Sequence, residues 1–406
     1  MAEGPTVSLI IVSRQRPEML ARCLTAVAQM DHPSFEVVVV ADPAGLAVAE
    51  AWPVKRVAFD ARNISAARNC GIAAAAGEVV AFIDDDAVPE PLWLRRLCAP
   101  FADPGVGAAG GFVVGWNGIS FEWTSGTVDR LLVPGPLTVP GAEVSLHKAQ
   151  PGRAIEIKGV NCAYRRADLA RIGGFDPLLR YYLDETEVNL RLARAGGRTA
   201  IVPLARVHHQ KAASDQRRAD RTPVSLYDIG FSSAVTLRRH DASADEMAAA
   251  RARMLAHEEG KLAQLRQARR IGASEAVRLT EGLQDGFAEG QRVALPPLVP
   301  LAATGGALLP FPAHGREVVI LAGRVWQGGR LRAQAQAQVA QGRIVRLYLF
   351  SPTALFHQQR FQDGYWCQTG GLFGKSDRRD PLFRLWRFQK RLAREAARFL
   401  SGFRYS

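Results

Sequence analysis

Cysteine is scarce and scattered: five occur in 406 residues (Cys23, Cys70, Cys98, Cys162 and Cys367), with no C-x-x-C pair. That excludes a zinc ribbon or a dithiol redox centre and predicts buried thiols in a reducing compartment. Long apolar runs are missing too. The N-terminus offers only Val7 to Val12, too short for the core of an export signal and without a small-residue cleavage site before Arg14, so no export is expected. The longest uncharged stretch, 293 to 313, matches a bilayer in length but holds five prolines and the pair Gly305-Gly306, and reads as a stiff linker. Internal repeats are absent. Acids are outnumbered, 39 Asp and Glu against 52 Lys and Arg, and the net charge of +13 predicts attraction to phosphates, a membrane surface or nucleic acid without choosing among them.

What is present is 48% apolar residues over a length that exceeds one ordinary core. The first third alternates strand-like and helix-like segments at the rhythm of a doubly wound α/β sheet. Val7 to Val12 and Phe35 to Ala41 are apolar runs of strand length, as parallel strands covered on both faces require. Pro17 to Met30 suits a helix, with Met19, Leu20, Cys23, Leu24 and Val27 on one stripe. Val54 to Phe59 predicts a third strand, Ser65 to Ala76 a helix entered at Ser65, and Val79 to Ile83 a fourth strand. Four strands and two helices are thus expected before Asp84. Beyond it come a helix over 91–101, a strand over 106–114, irregular chain from 115 to 155, a helix over 184–195 and a strand over 199–207 interrupted by Pro203. The expected division is a catalytic domain over 1–210, a helical extension over 211–292, the linker 293–313, and a small α/β appendage over 314–406 built on one strand–helix–strand unit.

The sharpest local feature is Ala81-Phe82-Ile83-Asp84-Asp85-Asp86-Ala87-Val88-Pro89, three carboxylates directly after a buried strand. In an open α/β sheet, ligands sit beyond the carboxyl ends of the strands, and clustered acids repel unless a cation joins them. A divalent metal bridging to a diphosphate suits them; the plainer alternative is a solvated acidic turn. Arg62, Asn63, Arg68 and Asn69 lie just upstream as cations and amide donors, and Asp42 closes the second strand, where a carboxylate can meet a base or ribose edge. For each of these taken singly, a surface or capping role fits as well.

Val7 to Val12 with Arg14 and Arg16-Pro17, then Ala67-Arg68-Asn69-Cys70-Gly71, then Phe82 to Pro89, resembles glycosyltransferase family 2. Gly159 to Arg166 is similar to that family's acceptor-side segment. Gly173-Gly174-Phe175-Asp176 and Asp184 to Leu192 are similar to its catalytic region. The resemblance covers residues 5 to 210 and implies a GT-A-type doubly wound mixed sheet, an inverting mechanism and a D-x-D metal motif. It implies Asp42 near the nucleobase, Asp84 near the ribose or metal, Asp86 on a Mg²⁺ or Mn²⁺ ion, and Glu185 as catalytic base; Asp85 joins them as a candidate donor-binding residue. The usual Glu-Asp order is reversed here as Asp184-Glu185, with Glu187 at the later acidic position, so the base stays open between Glu185 and Asp184. The acids of this pair also suit a helix start. His208 and His209 follow on a strand end; either is a candidate metal ligand, and both equally suit packed or surface positions.

A nucleoside-diphosphate sugar (UDP-, GDP- or dTDP-linked) as donor and a glycan or lipid-linked acceptor are the implied partners, in polysaccharide or cell-envelope assembly in the cytoplasm. Lys375 to Ser406 carries ten Lys or Arg against three acids, with Leu382, Leu385, Trp386, Leu392, Ala396 and Leu400 near helical spacing. Such a helix can lie on an anionic membrane on the inner face of the cell, or pack on its own domain. Gly364 to Ser376 lacks the frame of a phosphate loop. A sugar-phosphate nucleotidyltransferase would carry glycine after the first strand, and Val12 to Arg16 has none. A nucleic-acid-binding protein is suggested by charge alone, and acids at the sheet edge argue against it, so no nucleic-acid partner is expected.

Overall fold

Val7–Ser13 (β1) and Phe35–Ala41 (β2) pair in parallel, with Val7 opposite Phe35 and Ser13 opposite Ala41. Both are covered on two faces, so neither alternates. Two of their three polar members are partners: the Ser8 hydroxyl donates to Glu36 at 2.6 Å. Glu36 also accepts from the Ala76 and Leu309 amides at 2.7 and 2.9 Å and faces Lys55 Nζ at 2.9 Å. Burial alone raises this carboxyl, but the donors win and hold it below its usual range. The computed structural model describes residues 4–150, 152–210, 215–302, 306–377 and 379–400.

Around this pair the parallel half is built from α1 (Pro17–Val27), α2 (Pro43–Ala49), β3 (Lys55–Ala58), α3 (Ile64–Ala74) and β4 (Val79–Asp84). The helix α2 was not expected; at seven residues it is too short to show a periodic stripe, and its signal is the Asp42 cap before Pro43. At α3 the cap is Asn63, which accepts from Ala66 N–H at 3.0 Å, while Ser65, expected to be the cap, is buried and donates to the Leu179 carbonyl at 2.6 Å.

The chain continues through β5 (Ala87–Pro89), α4 (Trp93–Cys98), β6 (Val106–Val114), β7 (Phe121–Trp123), β8 (Gly126–Asp129), β9 (Pro134–Gly135), β10 (Ser145–Lys148) and β11 (Arg153–Glu156). It then forms β12 (Cys162–Arg165), α5 (Arg166–Arg171), α6 (Asp184–Arg194) and β13 (Arg198–His209). The main sheet runs β10-β13-β6-β12-β4-β1-β2-β3, with β12 antiparallel to both β4 and β6 and β13 parallel to β6. The fold is therefore α/β with a central mixed sheet, as expected. Strand β13 is a single strand whose pairing with β6 shifts between Val202 and Arg206, the stretch that contains Pro203. The segment expected to be irregular holds five strands, β7 to β11. None exceeds four residues, and they form by pairing with distant edges, which leaves no local period to read.

A helical extension follows: α7 (Tyr227–Arg239), α8 (Ala244–Gln267) and α9 (Ala273–Arg292). α7 and α9 touch backbone to backbone. A Cβ on Gly230 or Gly286 would lie 2.0 Å from a carbonyl oxygen of the other helix, of Leu283 and Tyr227 respectively. The extension is tied to the α/β part by Arg239 on Asp176 at 2.8 Å and His240 on Glu187 at 3.5 Å.

The proline-rich segment is strapped to the domain. Phe311 N–H donates to Phe35 O at 2.8 Å, and the Phe311 ring sits 6.2 Å from that of Trp52. The last unit has β14 (Val318–Arg324), α10 (Gly328–Ala340), β15 (Ile344–Ser351), β16 (Gln358–Gln362), β17 (Tyr365–Gly371) and α11 (Phe388–Leu400). Its sheet order is β14-β15-β17-β16, so the expected strand–helix–strand unit gains two strands. The basic helix α11 turns Leu392 and Ala396 onto Tyr348, Phe350 and Leu372, the packed alternative of the two considered. Leu382 and Leu385 lie outside it and are exposed; residues 401 to 406 of that expectation fall outside the described residues. Among the described residues no helix is long and apolar enough to cross a membrane.

Glu187 shows how tightly α6 is anchored. It is fully buried, chelated by Arg191, and faces His240; burial raises its carboxyl, but the Arg191 charge and the hydrogen bonds from His240 and Arg191 bring it down to about 2. Because the folded value is depressed, its stabilisation is complete above the unfolded value and fades as pH falls from about 5 toward 2. Glu187→Gln is expected to lower unfolding free energy by about 3 kcal/mol at pH 7 and to flatten that acid limb, read by urea titration across pH.

Candidate active site

At the end of β4 the three acids take different directions. Asp84 and Asp86 line a cavity of about 450 Å³, together with Val12 to Arg16 at the end of β1, residues around Arg62, Glu122, Tyr181, His209, Asp215 to Arg218, and Arg221. Asp85 turns inward. It is fully buried, accepts from the Ser13 hydroxyl at 2.7 Å and pairs with Arg16 at 2.6 Å. Burial pushes its carboxyl up to about 7 against the pull of Arg16. Its position is that of a loop anchor under the β1 tip, not of a donor-facing group.

Arg16 reaches Asp86 as well, at 3.2 Å, so one guanidinium ties two of the acids to the β1 tip. From the other side His209 Nε2 lies 3.2 Å from Asp86 and its Nδ1 3.4 Å from Glu122. Burial lowers this imidazole, but the two carboxylates outweigh it and raise it to about 9. Ligand atoms of Asp84, Asp86 and His209 all lie within 4.8 Å of one another. His208, one residue earlier on the strand, points to the opposite side. It meets Glu90 at 3.2 Å and the Trp366 ring of the C-terminal sheet at 4.6 Å, so the structure separates the two candidate histidines.

Arg68 connects the second group of acids. It is nearly fully buried, bonds Asp184 directly, lies 3.4 Å from Asp84, and its guanidinium covers the Phe82 and Phe175 rings. Tyr182 and Leu183, just before α6, both have left-handed backbone, with φ of 73° and 65°. Two such residues in succession are costly for non-glycine side chains, and they swing the chain so that Asp184 and Glu185 open the helix. Burial pushes the Asp184 carboxyl up. Glu185 is half-buried; burial acts on it too, but Lys158 and Arg68 hold it below its usual range, so it is the anionic member of the pair.

The remaining expected residues are placed as follows. Asp42 caps α2 through Gly45 N–H and accepts from Gln15 N–H, both at 3.0 Å, which fixes the β1 tip from behind. Arg62 lines the cavity but is paired with Asp228 at 2.7 Å. Asn69 clamps the Phe175 backbone by its N–H and its carbonyl at 2.8 and 2.7 Å, a structural role away from the cavity. Not foreseen were Arg16, Glu122, Tyr181, Arg217 and Arg221. Arg217 and Arg221 follow the segment 211 to 214 and face the cavity with no carboxylate partner among the described residues. Burial, and then repulsion from Arg217, lower the Arg221 guanidinium in spite of attraction from Glu122 and Asp86. Only the charge run Gln216-Arg217-Arg218 could have signalled them.

A second cavity, also about 450 Å³, shares Tyr181, Gln216, Arg217 and Arg221 with the first. It runs between the 223–229 segment and α8 and is lined by Leu226, Ile229, Leu262 and Leu265, with Lys261 paired to Glu258 at 2.7 Å and Arg270 paired to Asp220 at 3.2 Å.

A carboxylate cluster at the carboxyl edge of an α/β sheet, with arginines across the cavity, is an arrangement suited to a phosphate-bearing ligand. A family model described as glycosyltransferase like family 2 matches residues 5–222, just over half of the chain, and the chain belongs to that family. Among curated proteins it is 31% identical over 150 residues to the pre-mycofactocin glycosyltransferase of Mycobacterium tuberculosis, covering 36% of this chain and 29% of that one. It is 32% identical over 120 residues to the glycosyltransferase AglE of Haloferax volcanii, covering 27% and 40%. The matched stretches thus span less than half of either relative. Similar solved structures include the mannosyltransferase PcManGT from Pyrobaculum calidifontis in complex with GDP-Man and Mn²⁺, with 20% identity, TM-score 0.42, and 72% and 88% of the two chains covered. Another is TarS of S. aureus in complex with UDP-GlcNAc, with 17% identity, TM-score 0.42, and 60% and 69% covered.

Removing Arg68 would leave Asp84 and Asp184 close together without their shared cation. Arg68→Ala is expected to cost about 3–5 kcal/mol of unfolding free energy, whereas Arg68→Lys recovers part of it. Denaturant melts of the two variants check this.

Proposed function

We propose that the protein moves a sugar from a nucleoside-diphosphate donor to an acceptor hydroxyl with inversion at the anomeric carbon, assisted by a divalent cation. The observation that carries this reading is the convergence of Asp84, Asp86 and His209 on one wall of a cavity whose mouth holds Arg217 and Arg221. Two carboxylate oxygens and an imidazole nitrogen suit Mn²⁺ or Mg²⁺, and three protein ligands leave coordination positions for diphosphate oxygens. Bound there, the ion would neutralise charge on the leaving diphosphate.

The chain's own residues supply the rest. Arg217 and Arg221 present fixed positive charge to the departing diphosphate. Glu185, anionic under Lys158 and Arg68, accepts the acceptor's hydroxyl proton as the new C–O bond forms. The bond to the β-phosphate oxygen breaks, and its electron pair leaves on the diphosphate. The second cavity receives the acceptor, with the apolar residues against an apolar portion and the charged and polar residues, Arg217, Arg221, Lys261 and Glu258 among them, toward a polar portion. This suits a lipid-linked glycan of cell-envelope assembly; the five free cysteines fit a reducing cytoplasm.

The test is thermal stability against a panel of nucleoside diphosphates and their sugars with Mn²⁺, Mg²⁺ or EDTA. One nucleoside diphosphate is expected to raise the melting point only with metal. Asp86→Ala and His209→Ala should abolish that rise while His208→Ala keeps it, and full activity in Asp86→Ala would remove the metal from the mechanism. Glu185→Gln should retain the shift but lose turnover by about 10²–10⁴-fold. Ala268→Trp, which narrows the second cavity, is expected to raise the acceptor KM and leave nucleotide binding unchanged.

A further inference from the structure

The apolar residues of the C-terminal unit fall into two sets. Trp386, Phe388, Leu392 and Ala396 pack on Tyr348, Phe350 and Leu372, so α11 spends its apolar face inside the protein. Leu355, Phe356, Leu382, Phe383 and Leu385 are instead between 54% and 78% exposed. They belong to two loops that both rest on the 371–373 segment. The Phe373 and Phe383 rings lie 5.7 Å apart, Arg384 N–H donates to Phe373 O at 3.1 Å, and Gly371 N–H donates to Leu355 O at 2.9 Å. The five side chains thus share one edge and protrude from it.

The charge around that edge has one sign. Lys375 Nζ sits 5.8 Å over the Phe356 ring and the Arg384 guanidinium 4.5 Å over Trp386. Arg379, Arg387 and Lys390 lie in the same stretch, and none of these five cations has a carboxylate partner among the described residues. The local acids are engaged by α11: Asp380 by Arg394, and Asp377 by Arg398 at 3.6 Å. Protruding Leu and Phe side chains ringed by unmatched Lys and Arg match a headgroup boundary, where chains enter the acyl region and cations meet lipid phosphates. A protein partner would be expected to meet a flatter face with matched charges.

We infer that this edge docks the enzyme on an anionic lipid bilayer. The contact lies in the 355–356 and 382–385 loops and not on the apolar face of the basic helix. It does not depend on which donor or acceptor the active site takes.

The experiment is sedimentation of the full chain with phosphatidylglycerol-containing vesicles and with pure phosphatidylcholine vesicles at two salt concentrations. Binding is expected to the anionic vesicles alone and to weaken with salt. Leu382→Ser/Phe383→Ser/Leu385→Ser should reduce the partition coefficient at least about tenfold, with melting temperature and nucleotide-induced shift unchanged. The charge variant Arg387→Glu/Lys390→Glu, at two exposed positions, should do the same and covers the case in which the triple variant folds poorly. The proposal is overturned if wild type stays in solution with anionic vesicles or if both variants bind as wild type does. It is overturned equally if wild type forms a dimer without lipid that the same substitutions dissociate, which would assign the edge to a second copy.

Discussion

Three carboxylates in succession at the end of a buried strand repel one another, and the architecture of the active site is the answer to that repulsion. Each is neutralised from a different element: Asp85 and Asp86 by Arg16 after β1, Asp84 by Arg68 of α3, and Asp86 again by His209 at the end of β13. Arg68 carries the arrangement one step further by holding Asp184 at the start of α6. The acid cluster therefore gathers four parts of the chain that are remote in sequence, and the cavity is the space they leave between them. Buried ion pairs of this kind add little net stability, but they fix geometry strongly because breaking one strands a charge.

Much of the fold was legible because parallel strands covered on both faces advertise themselves as apolar runs, and because α3 and α6 have long amphipathic or capped patterns. β7 to β11 were not legible, since strands of two to four residues draw their stability from pairing with remote edges. The acids of the site were legible for a related reason: Asp84 to Asp86 follow β4 directly, and position after a strand is local information. Which of them faces the ligand was not. Asp85 and Asp86 are adjacent in sequence, yet one is locked by Ser13 and the other lines the cavity, a distinction made by tertiary partners. The same holds for His208 and His209, where strand alternation sends neighbours to opposite sides. Arg217 and Arg221 were hidden because a basic, polar stretch has the same appearance whether it is solvated or folded over a cavity.

The parts outside the family match are built onto the catalytic domain by polar pegs as much as by apolar contact. Glu36, in the middle of the parallel sheet, takes the Leu309 amide, and Phe311 lies with Phe35 and Trp52. Asp176 and Glu187, near the catalytic helix, receive Arg239 and His240 from the extension. The extension thus supplies one wall of the second cavity while being fixed to the helix that presents Glu185.

The docking of Trp366 and Phe361 against Ala26 and Val88 has a consequence for how the chain can be divided. Val88 is in the short strand that follows the acid cluster, and His208 rests on the Trp366 indole next to His209. A polypeptide ending where the family match ends, at residue 222, would bare these surfaces together with the pocket that Phe311 fills. The boundary of kinship is therefore not a boundary of autonomous folding. The C-terminal sheet behaves as a buttress for the strand end that carries His209.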